Sequence, residues 1–104
     1  MSNEQPMRKG VYACPCCGNW MFDEPSGSFA VCHVCYWEDD NIQAVQIDSP
    51  SGANRVSLRQ AQRNFATFGA VEERFIALVR PPTVEEQRAA SWRPLPADPT
   101  HDRS

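Results

Sequence analysis

Over residues 11–40 the apolar positions come in short, aromatic-rich runs, "NWMF" at 19–22 and "SFAV" at 28–31, separated by "DEPSG". Pro25 and Gly27 are strong turn formers, so the pattern predicts a β-hairpin linking the two cysteine-bearing stretches on either side. A turn-rich connector follows over 49–56, within and just beyond "DSPSGANR". The period then becomes helical in "SLRQAQRNFATFG". Leu58, Ala61, Phe65 and Phe68 fall on one face at 3.6-residue spacing, and Arg55, Arg59 and Arg63 line another. Ser57 with Gln60 three residues on forms a capping-box pattern, and Gly69 sits at the C-terminal cap position. "AVEERFIALVR" predicts a second short helix stopped by Pro81 and Pro82. Thr83 with Glu86 repeats the capping pattern and predicts a third helix over 83–90.

These elements give an α+β class: a small zinc-ribbon β-hairpin followed by two or three short α-helices. The expected division is a flexible tail over 1–10 and a single domain over 11–90. Within that domain lie a ribbon (11–48), the connector (49–56) and a helical part (57–90). A proline-rich tail covers 91–104, where Trp92 is the large apolar residue able to dock. Tyr12, Trp20, Phe22 and Phe29 are expected in the small core and on the sheet faces, with Phe65, Phe68 and Phe75 in the core beside them.

Composition sharpens this picture. At 104 residues with nine prolines, the chain supports one core, and a core of that size often needs a covalent or metal staple. The five cysteines are the candidates. "MSNEQPMRKG" lacks the apolar run of a signal peptide and nothing downstream resembles a membrane span, so a cytoplasmic location is expected. In a reducing compartment, an odd number of cysteines points to metal ligation rather than a disulfide framework.

The spacing is specific. Cys14 with Cys17 and Cys32 with Cys35 form two CxxC turns with 14 residues between them, and two such turns complete a tetrahedron. Four thiolates favour Zn2+, with iron the usual competitor, and four protein ligands would close the coordination shell. Cys16 is the surplus thiol inside the first turn, where its side chain is expected to point away from the metal. It is read as a small packed or exposed side chain, with a reactive thiol or substitute ligand as the alternatives. His33 lies between the second pair and His101 near the C-terminal end; neither is expected to coordinate.

"CPCCG", "CHVCYWEDD", "SGAN", "SL", "NF", "FG" and "RPPT", in that order, resemble the bacterial cysteine-rich CPCC family over about residues 12–84. The resemblance implies a zinc-ribbon-type module without an assigned biochemical activity. It carries over Cys14, Cys17, Cys32 and Cys35 as metal ligands and Trp37, Glu38, Asp39 and Asp40 as a second hallmark. His33 stands where such knuckles often have proline.

Charge bears on function. The net charge of -3 hides an asymmetry: residues 11–50 hold six acids and no lysine or arginine, whereas residues 51–104 hold eight arginines against six acids. A four-thiolate zinc centre adds a formal -2, so the front half is an anionic face suited to a basic partner. The sequence therefore predicts a non-enzymatic protein-interaction module, with Trp37, Glu38, Asp39 and Asp40 as its partner-binding candidates and an immunity protein against a basic toxin as an analogy. The competing reading of that stretch has Trp37 packing on the ribbon and the acids capping or pairing with Arg55, Arg59 or Arg63. The alternative function is nucleic-acid association through the Arg55, Arg59 and Arg63 face. The ribbon itself has no cation with which to contact phosphate. No nucleophile–base pair, phosphate loop or open metal position supports an enzyme.

Overall fold

Each cysteine turn makes its own small hairpin. The computed structural model describes residues 10–96. Residues 1–9 of the expected tail over 1–10, and residues 97–104 of the expected tail over 91–104, His101 included, lie outside it. Strand β1 (Tyr12–Ala13) pairs antiparallel with β2 (Trp20–Phe22), setting Tyr12 opposite Phe22 and Ala13 opposite Trp20 across an irregular register. The turn between them is CPCCG rather than DEPSG. Cys14 N–H donates to the Asn19 carbonyl at 2.9 Å and Gly18 N–H to the Cys14 carbonyl at 2.7 Å, so the chain reverses within the cysteine turn.

The second turn repeats this. Cys32 N–H donates to the Trp37 carbonyl (2.9 Å) and Tyr36 N–H to the Cys32 carbonyl (2.8 Å), bringing Val31 opposite Glu38. The expected pairing of "NWMF" with "SFAV" is therefore replaced by two local reversals. Phe29, at φ +61, breaks the extended run in the second segment.

A helix that the sequence pattern did not indicate follows. α1 (Asn41–Val45) is too short to hold itself in water, and side chains pin it. Asp40 caps it, accepting from Ile42 N–H (2.9 Å) and Gln43 N–H (3.1 Å), and reaches across to Ala53 N–H (3.0 Å). Gln43 is fully buried; its Nε2 faces the carbonyls of Ser49, Asn54 and Val56, and its Oε1 accepts from Asn54 N–H and Nδ2. Asn54 in turn accepts Glu38 N–H at 2.8 Å and donates to the Glu38 carbonyl at 2.9 Å. The connector is thus wrapped around one glutamine.

Asp40→Ala removes three acceptor contacts at once, and is expected to cost about 2 kcal/mol in urea unfolding. The bond from Ala53 N–H is the chief cause that holds the Asp40 carboxyl below its usual range. A depressed carboxyl contributes stability above its unfolded value of about 4 and loses it as pH falls through the folded value. The variant's deficit should therefore shrink in that acidic window, provided metal content is held constant.

α2 (Leu58–Phe68) forms as its pattern predicts, with Ser57 Oγ accepting from Gln60 N–H at 3.0 Å and Gly69 closing it at φ +89. The Gln60 side chain bonds Asn64 instead of returning to the cap, so only half of the capping box is made. Leu58 and Ala61 are buried, and Phe65 packs beside them.

The second and third predicted helices are 3₁₀ turns, Glu73–Leu78 and Val84–Glu86. The first is tethered at both ends to the second cysteine turn, by Val71 N–H to the Cys35 carbonyl (2.9 Å) and Arg80 N–H to the His33 carbonyl (3.1 Å). The longer rise per residue of a 3₁₀ helix suits a span fixed between two anchors.

Five of the eleven residues in the buried cluster are cysteines; Phe22, Val34, Trp37, Leu58, Ala61 and Val71 make up the rest. The core is therefore centred on sulfur. Tyr12 and Phe29, expected in the core or on the sheet faces, are 41% and 50% exposed, because no element among the described residues covers them fully. Among the described residues no helix is long and apolar enough to cross a membrane.

Candidate metal centre

The two reversals face each other and converge their sulfurs. The Sγ atoms of Cys14, Cys17, Cys32 and Cys35 all lie within 4.8 Å of one another, and all four residues are 0% exposed. Cys14 Sγ is 3.6 Å from Cys35 Sγ and Cys17 Sγ is 3.8 Å from Cys32 Sγ. A tetrahedron with metal–sulfur bonds of ~2.3 Å has edges of ~3.8 Å, so the four sulfurs are set to hold one metal ion. No other group of three or more His, Cys, Asp or Glu among the described residues is close enough to do so.

The two turns are near-copies. Gly18 and Tyr36, each following the second cysteine of its pair, both adopt left-handed backbone, at φ +81 and +77. Such backbone costs a non-glycine residue ~1–2 kcal/mol. Tyr36 offsets this through its ring, which lies 4.4 Å from that of Phe75. Val34 N–H points at Cys32 Sγ at 3.4 Å.

Electrostatics suit this group to a cation once the thiols ionise. Burial pushes the thiols of Cys14 and Cys35 well above their ordinary range, whereas neighbouring thiols, Cys14 first, pull Cys17 down. Four thiolates in one dry pocket repel one another, and a divalent ion is what makes the fully ionised set stable.

Cys16 is 1% exposed and stays outside the four-sulfur group. Burial pushes its thiol up, with a hydrogen bond to Cys35 opposing that shift. A buried neutral thiol is a weak nucleophile, which favours the packed reading of this residue over the reactive one. Cys16→Ser should retain one metal ion per chain and the folded state, losing about 1 kcal/mol for placing a hydroxyl where a thiol packed. Metal analysis and a thermal melt check it, and release of the metal would reassign the ligand set. His33 is exposed, and its backbone carbonyl is what the fold uses.

The segment ending the described chain supports the first turn. Pro15 carbonyl accepts from Gln62 Nε2 (2.9 Å) and Trp92 Nε1 (3.0 Å), Cys17 carbonyl from Arg88 Nε (2.9 Å), and Gly18 carbonyl from Ala89 N–H (2.7 Å). Leu95 N–H returns to Gln62 Oε1 at 2.7 Å, and Arg59 donates to the Pro96 carbonyl. Residues 88–96 thus form a strap over the first cysteine turn. Trp92 docks, and its neighbours in the proline-rich stretch dock with it.

The "WEDD" stretch is used internally. Trp37 is 0% exposed, Asp39 2% and Asp40 6%. Asp39 Oδ2 accepts from Ser28 N–H (3.2 Å) and Ser28 Oγ (2.8 Å), while Asp40 caps α1 as described. Glu38 is half-buried, its backbone held by Asn54. The acids do not pair with Arg55, Arg59 or Arg63: Arg59 bonds Asp48 at 2.8 Å, and Arg55 and Arg63 lie exposed, Arg55 ahead of the first turn of α2.

Sequence reasoning passed over Gln43 with Asn54 as an organising pair, and Arg88 as a support of the metal turn. For the first, a polar residue inside a five-residue helix offers no periodic signal. For the second, only Trp92 in a polar, proline-rich stretch was a cue.

The family described as cysteine-rich CPCC matches residues 12–86. No curated protein matches the chain.

Proposed function

This chain belongs to the cysteine-rich CPCC family, and from that premise we propose that it is a non-enzymatic protein-interaction module whose fold is held by one structural zinc ion. The observation that carries this reading is the completed four-sulfur shell with every ligand residue 0% exposed. Cys14, Cys17, Cys32 and Cys35 would hold the ion as thiolates. Zinc fits because four thiolates are its preferred structural set and iron is the competitor for the same geometry. When bound, the ion supplies cross-linking and charge balance, with no open position for a substrate or water.

The partner class follows from charge. Residues 11–50 carry no cation, so this side favours a basic protein surface, of which a basic toxin is one instance. The nucleic-acid reading through Arg55, Arg59 and Arg63 is less favoured, because Arg59 is already held by Asp48 and the Pro96 carbonyl and a row of three phosphate-facing cations is not left.

Purified chain should contain one zinc per molecule by elemental analysis and should fail to reduce insulin disulfides in the presence of dithiothreitol above the uncatalysed rate. A metal-free preparation that accelerates the reduction would replace this reading with a thiol oxidoreductase.

A further inference from the structure

The anionic side of the ribbon has a shaped feature. Tyr12, Ala13, Pro15, Phe22, Glu24, Ser26, Asp39 and Ala44 surround a depression of about 240 Å³ between the β1–β2 pair and α1. Small-molecule sites usually run ~300–1,000 Å³, so this one is scaled to a single side chain of a partner rather than to a cofactor. Its lining is mostly apolar, from Tyr12, Ala13, Pro15, Phe22 and Ala44, and Tyr12 is 41% exposed.

Among the described residues its charge is not fully compensated. Of the six acids in residues 11–50, Asp40 caps α1 and Asp48 pairs with Arg59. Glu24, on the rim, and Asp23 beside it are exposed, and no ion pair is found for either among the described residues. Asp39, 2% exposed, also lines the depression, and its carboxylate is met by Ser28, with no cation paired to it among the described residues. A metal ion is not the natural occupant, since these carboxylates form no cluster of ligating geometry.

Resting on the reading above, we propose that this depression receives an arginine side chain from a basic partner protein, its stem against Tyr12, Ala13 and Ala44 and its guanidinium at Glu24. Arginine suits the site better than lysine: its planar head stacks on an aromatic face and pairs with a carboxylate in a fork, and its three-methylene stem covers apolar surface. The acids that recognise the partner are therefore Asp23 and Glu24 on the loop after β2, while the buried Asp39 of "WEDD" lines the depression.

The test is a titration of the 15N-labelled, zinc-loaded full chain with the peptide acetyl-Gly-Arg-Arg-Gly-amide and its citrulline counterpart, which keeps shape but removes charge. Saturable shifts at the amides of Ala13, Glu24 and Ala44 are expected, weaker with citrulline and in high salt. Glu24→Gln and Tyr12→Ala should each weaken binding about threefold with zinc content unchanged. If the arginine peptide binds but shifts other amides, or binds both variants as tightly as the parent chain, the depression is not the site, while the acidic-module reading stands. If it binds no better than the citrulline peptide anywhere on the chain, the preference for a basic partner falls as well.

Discussion

Cys35→Ser is expected to abolish stoichiometric metal and, with it, the cooperative unfolding transition of the whole described chain; Cys14→Ser should behave alike. Structural zinc contributes an apparent ~10–16 kcal/mol at neutral pH, against a net stability of ~5–15 kcal/mol for a whole domain. Here the ion would sit where the core itself is, since five of the eleven buried cluster residues are cysteines. A serine oxygen offers no comparable soft donor, and three sulfurs with a gap leave buried polar groups unpaired. The loss should not stay in the ribbon. The Cys35 carbonyl accepts Val71 N–H and the His33 carbonyl accepts Arg80 N–H, so the second turn is the anchor for residues 71–80. Near-ultraviolet circular dichroism with elemental analysis reads both effects, and a strong chelator should reproduce them on the unmodified chain. Bound zinc at one per chain with a parental melting curve in either variant would remove these cysteines from the ligand set.

Gly18→Ala is expected to destabilise by about 3 kcal/mol, a large effect for one added methyl group. Two causes combine. Gly18 sits at φ +81, which an alanine adopts only with strain, and its added Cβ would lie 2.5 Å from Trp92 Cδ2 and 2.7 Å from Trp92 Cε3. The indole has to leave, taking its bond to the Pro15 carbonyl and the stacking of Arg88 at 4.8 Å. A double-mutant cycle with Trp92→Ala separates the causes: in that background the glycine substitution should cost only the backbone strain of ~1–2 kcal/mol. Equal costs in both backgrounds would mean that the strap does not bear on the metal turn.

The four-cysteine group able to hold a metal was legible in the sequence because CxxC spacing is a local property: two sulfurs three residues apart face one side whatever the rest of the chain does. The same holds for α2, whose cap at Ser57, apolar face and terminal Gly69 all lie within 13 residues and were all found in place. Strand pairing was not legible in the same way. Aromatic runs suggested "NWMF" against "SFAV", but the hydrogen bonds that close each cysteine turn fix Ala13 opposite Trp20 and Val31 opposite Glu38 before any longer hairpin can compete. The acids show the limit most clearly. Glu38, Asp39 and Asp40 look alike on paper, and only the fold turns Asp40 into a helix cap, holds Asp39 against Ser28 and leaves Glu38 half-buried.

Sequence alone therefore determined the family, the α+β class, the four cysteines able to hold a metal and the main helix, each encoded over a few neighbouring residues. Tertiary structure decided which charges reach solvent, how Gln43 organises the connector and how residues 88–96 strap the first cysteine turn. Those outcomes depend on contacts between residues that are far apart in the chain, such as Pro15 with Trp92, and no local pattern records them.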